Sequence, residues 1–151
     1  MKETIIIGWR EWISLPDLNV QGLKVKVDTG ARTSALHAFE IRPFKNNNEP
    51  WVEFYVHPIQ RHRKPEIKCE AKIFDTRTVT SSNGQQELRY VILSTLGIGD
   101  FSWQIEITLT DRDEMGFRML LGREAMQNRL LVDPSKSYLL GKFTDNHFYE
   151  N

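Results

Sequence analysis

Apolar and polar residues alternate along much of the chain, and this pattern predicts short β-strands. Phe101 to Leu109 alternates without interruption, and Leu23 to Val27, Trp51 to His57 and Ile67 to Phe74 follow the same period of two. Side chains at every second position of a strand share one face, so each segment would bury one face and expose the other. The pattern therefore predicts a fold built mainly from half-buried strands.

Turn signals divide these strands and leave room for little helix. Ser81-Ser82-Asn83-Gly84 interrupts Phe74 to Leu93 and predicts a hairpin, because Asn-Gly favours tight hairpin turns. Only Glu124 to Arg129 has a helical pattern. We expect a mostly β, closed and mainly antiparallel barrel with one short helix, as a single domain over residues 1–151 with a frayed tail at 142–151. The residues expected to be buried are Val25, Val27, Phe54, Ile73, Ile105, Ile107, Leu120 and Leu121.

Composition limits which kinds of partner we expect and in which cellular compartment the protein works. Lys+Arg and Asp+Glu both number 20, so the formal net charge is zero, and we expect neither a nucleic-acid nor a membrane partner. Cys69 is the single cysteine, which excludes an intramolecular disulfide and fits a reducing compartment. The sequence shows no apolar run of membrane-spanning length and no signal-peptide pattern. The predicted location is the cytoplasm.

A carboxylate stands at the end of the predicted strand Leu23 to Val27. Asp28 is followed by Thr29 and Gly30, and glycine permits a sharp turn and a close approach of other backbone. Asp-Thr-Gly is also ordinary turn chemistry, in which Asp accepts a hydrogen bond from the backbone two residues later. These three residues alone therefore leave a catalytic and a purely structural interpretation open.

A second motif favours the catalytic interpretation. Asp28-Thr29-Gly30-Ala31 and Leu120-Leu121-Gly122-Arg123, in this order, resemble the two motifs of retropepsin-like aspartic proteases. Further segments resemble the retropepsin-like family called ATP-dependent zinc proteases, which is associated with an ATP-grasp ligase that adds glutamates to a ribosomal protein. These segments are Arg32 to Ala38, Ser81 to Gly84, Leu88 to Tyr90 and Glu106 to Thr110.

The resemblance implies an aspartic-type peptidase. Such enzymes need two carboxylates, and this chain has one Asp-Thr-Gly loop, so the simplest completion is a C2 homodimer in which Asp28 meets Asp28 of a second copy. Thr29 would then bond across the axis, and Gly30 would allow the close approach. A second carboxylate from Asp111 or Asp113 is the alternative. A different function also stays open, namely a non-catalytic binding module that partners the glutamate ligase or its product.

The resemblance also suggests residues that bind the substrate. Arg32 is the candidate for holding a carboxylate of an acidic or glutamate-extended peptide, because arginine presents a planar fork to carboxylates. Arg123 is assigned a structural ion pair. The hairpin tip, with Ser81, Ser82, Asn83 and Gly84, would cover the substrate as a flap, and the alternative is an ordinary surface hairpin.

The sequence gives zinc and ATP little support. His-Glu-x-x-His and paired cysteines are absent, and the four histidines have no recurring ligand spacing. They are interpreted as scattered surface residues, namely His37, His57, His62 and His147. No phosphate-binding Gly-x-x-x-x-Gly-Lys motif occurs, so ATP is assigned to the neighbouring ligase. We therefore expect neither a bound metal nor a cofactor.

Overall fold

The computed structural model describes residues 4–80, 83–113 and 115–149, and these residues form a mostly β fold. The strands are β1 (Ile5–Ile7), β2 (Arg10–Leu15), β3 (Val20–Asp28), β4 (Ser34–His37), β5 (Phe39–Asn46), β6 (Glu49–Val56), β7 (Ile67–Lys72), β8 (Asp75–Thr80), β9 (Gln86–Ile98), β10 (Phe101–Thr110), β11 (Met119–Gly122) and β12 (Leu130–Val132). The helices are a 3₁₀ turn at Pro16–Leu18, α1 (Arg123–Met126) and α2 (Asp145–Phe148). None of the described helices is long and apolar enough to span a membrane.

The largest sheet has the strand order β10-β4-β11-β3-β2-β9-β8. Residues 91–98 of β9 also pair with β10, whereas β2 pairs with β9 at the single position Ser14 and Gly97. The sheet is therefore not clearly closed, and the closed barrel stays a prediction. Strand directions are mixed, because β11 runs parallel to β3 and β10 runs parallel to β4.

Two smaller sheets complete the architecture. Strands β5, β6 and β7 form an antiparallel sheet, and β1 pairs in parallel with β12. Most of the residues expected in the core are buried, because alternation placed them on inward faces. Those buried are Val25, Phe54, Ile105, Ile107 and Leu121, and those only half-buried are Val27, Ile73 and Leu120.

The expected short helix is present as α1, but it is one turn long. Gln127 leaves the helical conformation at φ −54° and ψ 130°, and Asn128 follows with a positive φ of 63°. Trp103 donates its indole N–H to the carbonyl oxygen of Ala125 at 2.9 Å. The helix therefore ends before residue 129, where its apolar pattern had suggested that it would continue.

The described part of the tail packs against the sheet, and the fraying expected over 142–151 stays a prediction. Phe148 lies against Trp12, with ring centroids 5.2 Å apart. The Tyr149 hydroxyl donates to the carbonyl oxygen of Gly22 at 2.6 Å and accepts from its N–H at 3.2 Å. Aromatic burial and these two hydrogen bonds compensate the loss of conformational freedom.

A buried carboxylate joins the start of β2 to the C-terminal segment. Glu11 is fully buried, and its carboxylate accepts hydrogen bonds from the backbone N–H groups of Gly8 at 2.7 Å, Leu139 at 2.9 Å and Leu140 at 3.2 Å. A buried charge is tolerated when it is fully hydrogen-bonded in this way. Glu11 thus fixes a segment that has no strand pairing of its own.

Candidate active site

The Asp28 turn is built where β3 lies beside β11. The parallel register pairs Val27 with Leu121 and Asp28 with Gly122, so the two motifs found in the sequence are direct neighbours. The Asp28 carboxylate accepts a hydrogen bond from the N–H of Gly30 at 3.1 Å, as in an ordinary Asx turn. Asp28 is half-buried, while Thr29 and Gly30 are exposed. The carboxylate is therefore held in place and can be reached from solvent.

Gly122 allows the chain to pass close behind this turn. A Cβ atom at residue 122 would lie 2.6 Å from the carbonyl carbon of Thr33 and 2.8 Å from the nitrogen of Ser34. The Gly122 N–H donates to the Ser34 hydroxyl at 3.0 Å. No side chain fits there without moving backbone, so the glycine is a requirement of the packing.

Arg123 holds the turn through hydrogen bonds to its backbone, and the ion pair expected from the sequence stays a prediction. Its guanidinium donates to the carbonyl oxygens of Gly30 at 3.2 Å and Thr29 at 3.4 Å. Its backbone N–H donates to the carbonyl oxygen of Ala31 at 2.9 Å. The first residue of α1 therefore satisfies three carbonyl groups of the Asp28 turn and fixes its shape.

Arg32 already has a carboxylate partner within the chain. Its Nε donates to Oε1 of Glu124 at 2.6 Å, and the arginine side chain is 73% exposed. A substrate carboxylate would have to compete with Glu124 for this guanidinium. The role of Arg32 in substrate binding therefore stays a prediction.

The hairpin expected as a flap is formed by β8 and β9. Their register pairs Thr80 with Gln86 immediately before the tip. At the tip, Ser81 and Ser82 lie outside the described residues, and Asn83 and Gly84 are exposed, with Gly84 at a positive φ of 85°. Arg77 joins the hairpin to β10 through an ion pair with Glu106 at 2.6 Å. A role in covering substrate stays a prediction.

Two of the four histidines are buried together, contrary to the prediction of scattered surface residues. His37 is 1% exposed and His57 is 7% exposed. Their ring nitrogens approach one oxygen of Asp113, with His37 Nε2 at 3.6 Å and His57 Nδ1 at 3.7 Å. Arg118 donates to the same oxygen at 3.2 Å, and Arg63 contacts the other oxygen at 3.2 Å. We call His37, His57, Asp113 and Arg118 the histidine cluster.

The histidine cluster gathers zinc-ligand residue types, but its hydrogen bonds do not fit zinc. The backbone N–H of Arg112 donates to Nδ1 of His37 at 3.1 Å, so the neutral ring carries its proton on Nε2. A histidine bound to zinc has the opposite arrangement, in which the free ring nitrogen donates to an acceptor. The buried cation of Arg118 also shares the carboxylate oxygen that a metal would need. These contacts therefore argue against zinc binding by the histidine cluster.

The histidine cluster lies far from Asp28 along the sheet. Strand β4 begins at Ser34, beside Gly122, and ends at His37, which pairs with Thr110. At about 3.3 Å per residue, these ends are roughly 10 Å apart. Asp111 and Asp113 follow Thr110 and so lie at the end of β4 away from Asp28. They are poor candidates for the second carboxylate of a dyad.

Cys69 offers no competing nucleophile. It is buried, and burial raises the pKa of its thiol to about 12. A thiol needs to ionise near neutral pH to act as a nucleophile. Cys69 is therefore not a candidate nucleophile.

Stability should fall in mild acid because of the histidine cluster. Burial, followed by the charge of Arg118, lowers the pKa of both His37 and His57 below the ordinary value of 6.5. Unfolding restores the ordinary pKa, so the unfolded chain takes up protons first as pH falls below about 6.5. The stabilisation is complete above that pH and is lost as pH falls through the folded pKa values.

Urea unfolding at pH 7.5 and pH 5.5 measures this effect. We expect the double variant His37→Gln/His57→Gln to show a smaller difference between the two midpoints than the wild type. His62→Gln, at an exposed histidine, is the matched control. An undiminished difference in the double variant would contradict the assignment.

Comparison with known proteins identifies a family whose model matches most of the chain. A model of the RimB-like family, described as retropepsin-like aspartic endopeptidase RimB, matches residues 6–142. The crystal structure of Lpg0085 from Legionella pneumophila, described as a protein of unknown function, superimposes with a TM-score of 0.77. That similarity is 26% in sequence identity and covers 92% of this chain and all of the Legionella chain.

Curated relatives carry a different name. A probable alpha-L-glutamate ligase of Shewanella halifaxensis is 56% identical over 140 residues, which are 93% of this chain and 31% of that protein. A probable alpha-L-glutamate ligase of Parasynechococcus marenigrum is 50% identical over 141 residues, covering 93% and 30% respectively. The chain thus spans less than a third of the length of these relatives.

Proposed function

The chain belongs to the RimB-like family of retropepsin-like aspartic endopeptidases, and from this premise we propose that it is a peptidase that hydrolyses acidic or glutamate-extended peptides. One observation carries the proposal above the others. The accessible carboxylate of Asp28 sits in an Asp-Thr-Gly turn that β11, Gly122 and Arg123 hold from behind. So many contacts holding a half-buried acidic side chain that solvent can still reach are more than an ordinary turn needs.

Catalysis would use Asp28 from each of two copies on a two-fold axis. Two carboxylates about 3 Å apart cannot both ionise, so they share one proton. The ionised group accepts a proton from water as the water oxygen attacks the scissile carbonyl carbon, and the protonated group donates to the carbonyl oxygen. Collapse of the tetrahedral intermediate breaks the C–N bond, and the nitrogen leaves with a proton from the dyad.

The names of the relatives support the proposed substrate class. In proteins named as probable alpha-L-glutamate ligases, a region similar to this chain is joined to a further two thirds of the polypeptide. A domain joined to a ligase is well placed to act on that ligase's product. We propose that the present chain acts in the cytoplasm together with a glutamate ligase.

The same relatives favour a second candidate function. A domain inside a ligase could bind the glutamate-extended product without cleaving it, with Asp28 serving only the turn. Cleavage and binding are separable by experiment, because binding alone leaves the peptide intact.

Mass spectrometry of a peptide that ends in six glutamates, incubated with the full chain, tests the proposal. We expect shortened products, and none from a matched peptide that ends in six glutamines. An intact glutamate peptide at a concentration where binding is saturated would favour the binding module over the peptidase.

A further inference from the structure

A cavity of about 320 Å³ opens on the sheet face that carries Asp28. Lys26 lines it and lies two residues before Asp28 on β3, so the two side chains share a face about 7 Å apart. The register places Leu120 beside Lys26, and Ala35 beside Leu120. We call this space the Lys26 cavity. A ligand that fills it lies about one strand repeat from Asp28, on the same face of β3.

The Lys26 cavity has a positive lining. Lys26, Arg89 and Arg112 line it, and no carboxylate does so among the described residues. The Arg89 guanidinium is paired with Glu87 at 3.1 Å, whereas Lys26 is exposed and has no ion pair within the described part of the chain. Lys26 is therefore the cation with the most free capacity for a ligand's carboxylate.

The remaining lining is largely apolar. It consists of Leu120, Phe117, Met115 and Ala35, together with Gly116 and one hydroxyl-bearing residue, Thr110. An acidic side chain has the complementary layout, since its methylene stem favours apolar contacts and its carboxylate favours cations. A second cavity, of about 190 Å³, is lined by Glu106 and Glu124, each paired with an arginine, and no lysine or arginine lines it among the described residues. The two cavities thus differ in the charged groups that line them.

One wall of the Lys26 cavity is held rigidly. Arg112, Met115, Gly116 and Phe117 belong to the loop between β10 and β11, and Arg118 at its end is 3% exposed. Arg118 donates to carbonyl oxygens of Asp113, Ile59 and His62 at 3.1–3.4 Å. The histidine cluster therefore anchors this loop, and a fixed wall lowers the entropy lost on binding.

We propose that the Lys26 cavity binds the carboxylate side chain of a glutamate next to the scissile bond, with Lys26 as the residue that determines this specificity. The proposal rests on the proposed peptidase function, because it locates the substrate of the same site. It assigns acidic recognition to Lys26 in place of Arg32, whose guanidinium is paired with Glu124.

A binding measurement on a variant that lacks the Asp28 carboxylate tests the cavity apart from turnover. The protein is the full chain with Asp28→Asn, and the probe is a fluorescein-labelled tetraglutamate peptide followed by anisotropy. Adding Lys26→Gln should raise Kd about tenfold or more, as for loss of a charge-assisted hydrogen bond. Labelled tetraglutamine should bind equally weakly to both proteins.

Lys24→Gln is the matched control. Lys24 is on the same strand and face as Lys26, but its ammonium lies 5.2 Å from the centre of the Trp12 ring and outside the cavity lining. We expect its Kd for tetraglutamate to be unchanged. An equal loss in both lysine variants would show only a general effect of charge and would overturn the proposal. The proposal is also overturned if adding Lys26→Gln leaves the Kd for tetraglutamate unchanged. It is overturned as well if the Asp28→Asn protein with Lys26 intact does not bind tetraglutamate.

The two proposals fail in different ways. If the wild type cleaves no peptide but tetraglutamate binding depends on Lys26, the peptidase is wrong and the carboxylate site stands. If the wild type cleaves glutamate peptides with a KM that Lys26→Gln leaves unchanged, the peptidase stands and the carboxylate site is wrong.

Discussion

Replacing Asp28 with asparagine is expected to abolish peptide hydrolysis, with kcat lower by several powers of ten and peptide affinity little changed. The carboxamide keeps the size of the side chain and can still accept the hydrogen bond from Gly30. It cannot take a proton from water, so the loss falls on the transition state and not on binding. Asp133→Asn, at an exposed-loop carboxylate bonded to Ser135, is the matched control and should retain full activity.

Mixing experiments extend this prediction to the second carboxylate. If two copies contribute one Asp28 each, excess Asp28→Asn protein should capture wild-type chains in inactive mixed dimers. Activity should then fall well below the value expected from dilution alone. Activity that is unaffected by the added variant would exclude the shared dyad, and full cleavage by Asp28→Asn alone would exclude any catalytic role for this residue.

Replacing Glu11 with alanine is expected to destabilise the fold by about 3–5 kcal/mol, as for a buried charged group whose hydrogen-bond partners are left unpaired. The N–H groups of Gly8, Leu139 and Leu140 would each lose an acceptor inside the protein. Glu11→Gln keeps one acceptor oxygen, so its effect should be smaller. The order of stability should be wild type, then the glutamine variant, then the alanine variant.

Urea unfolding followed by circular dichroism measures these differences. Glu70→Ala, at an exposed glutamate in β7, is the matched control and should change stability by less than about 0.5 kcal/mol. A Glu11→Ala protein as stable as this control would show that the buried hydrogen bonds contribute little.

The strands were predictable because one face of each is buried and the other meets solvent. Phe101 to Leu109 became β10 (Phe101–Thr110), and Leu23 to Val27 lies within β3. The neighbouring positions of Asp28 and Gly122 came from the resemblance of two motifs and not from any local pattern. Whether Thr29 crosses a dimer axis is a question of assembly, which alternation along one chain does not address.

The sequence did not predict the histidine cluster, because its residues come from segments that share no pattern of hydrophobic alternation. His37 ends a four-residue strand in which every residue is buried, so alternation gave no signal. His57 follows β6, and Asp113 lies in a charged loop that resembles a solvated surface. Glu11 was missed for a related reason, since its three partners include Leu139 and Leu140 at the other end of the chain.

The contacts that Arg123 and β11 make with the Asp28 turn determine when that turn can form during folding. Arg123 is separated by 94 residues from Thr29, whose carbonyl it binds, and β11 joins β3 over a similar distance. Contacts between such distant segments form slowly, because the entropy of closing a long loop is lost before the contacts can stabilise the chain. A ribosome-bound chain that has emerged only to residue 110 holds Asp28 and the local bond from Gly30, but it lacks β11 and Arg123. The Asp28 turn therefore gains its full set of contacts late, after most of the chain has been synthesised.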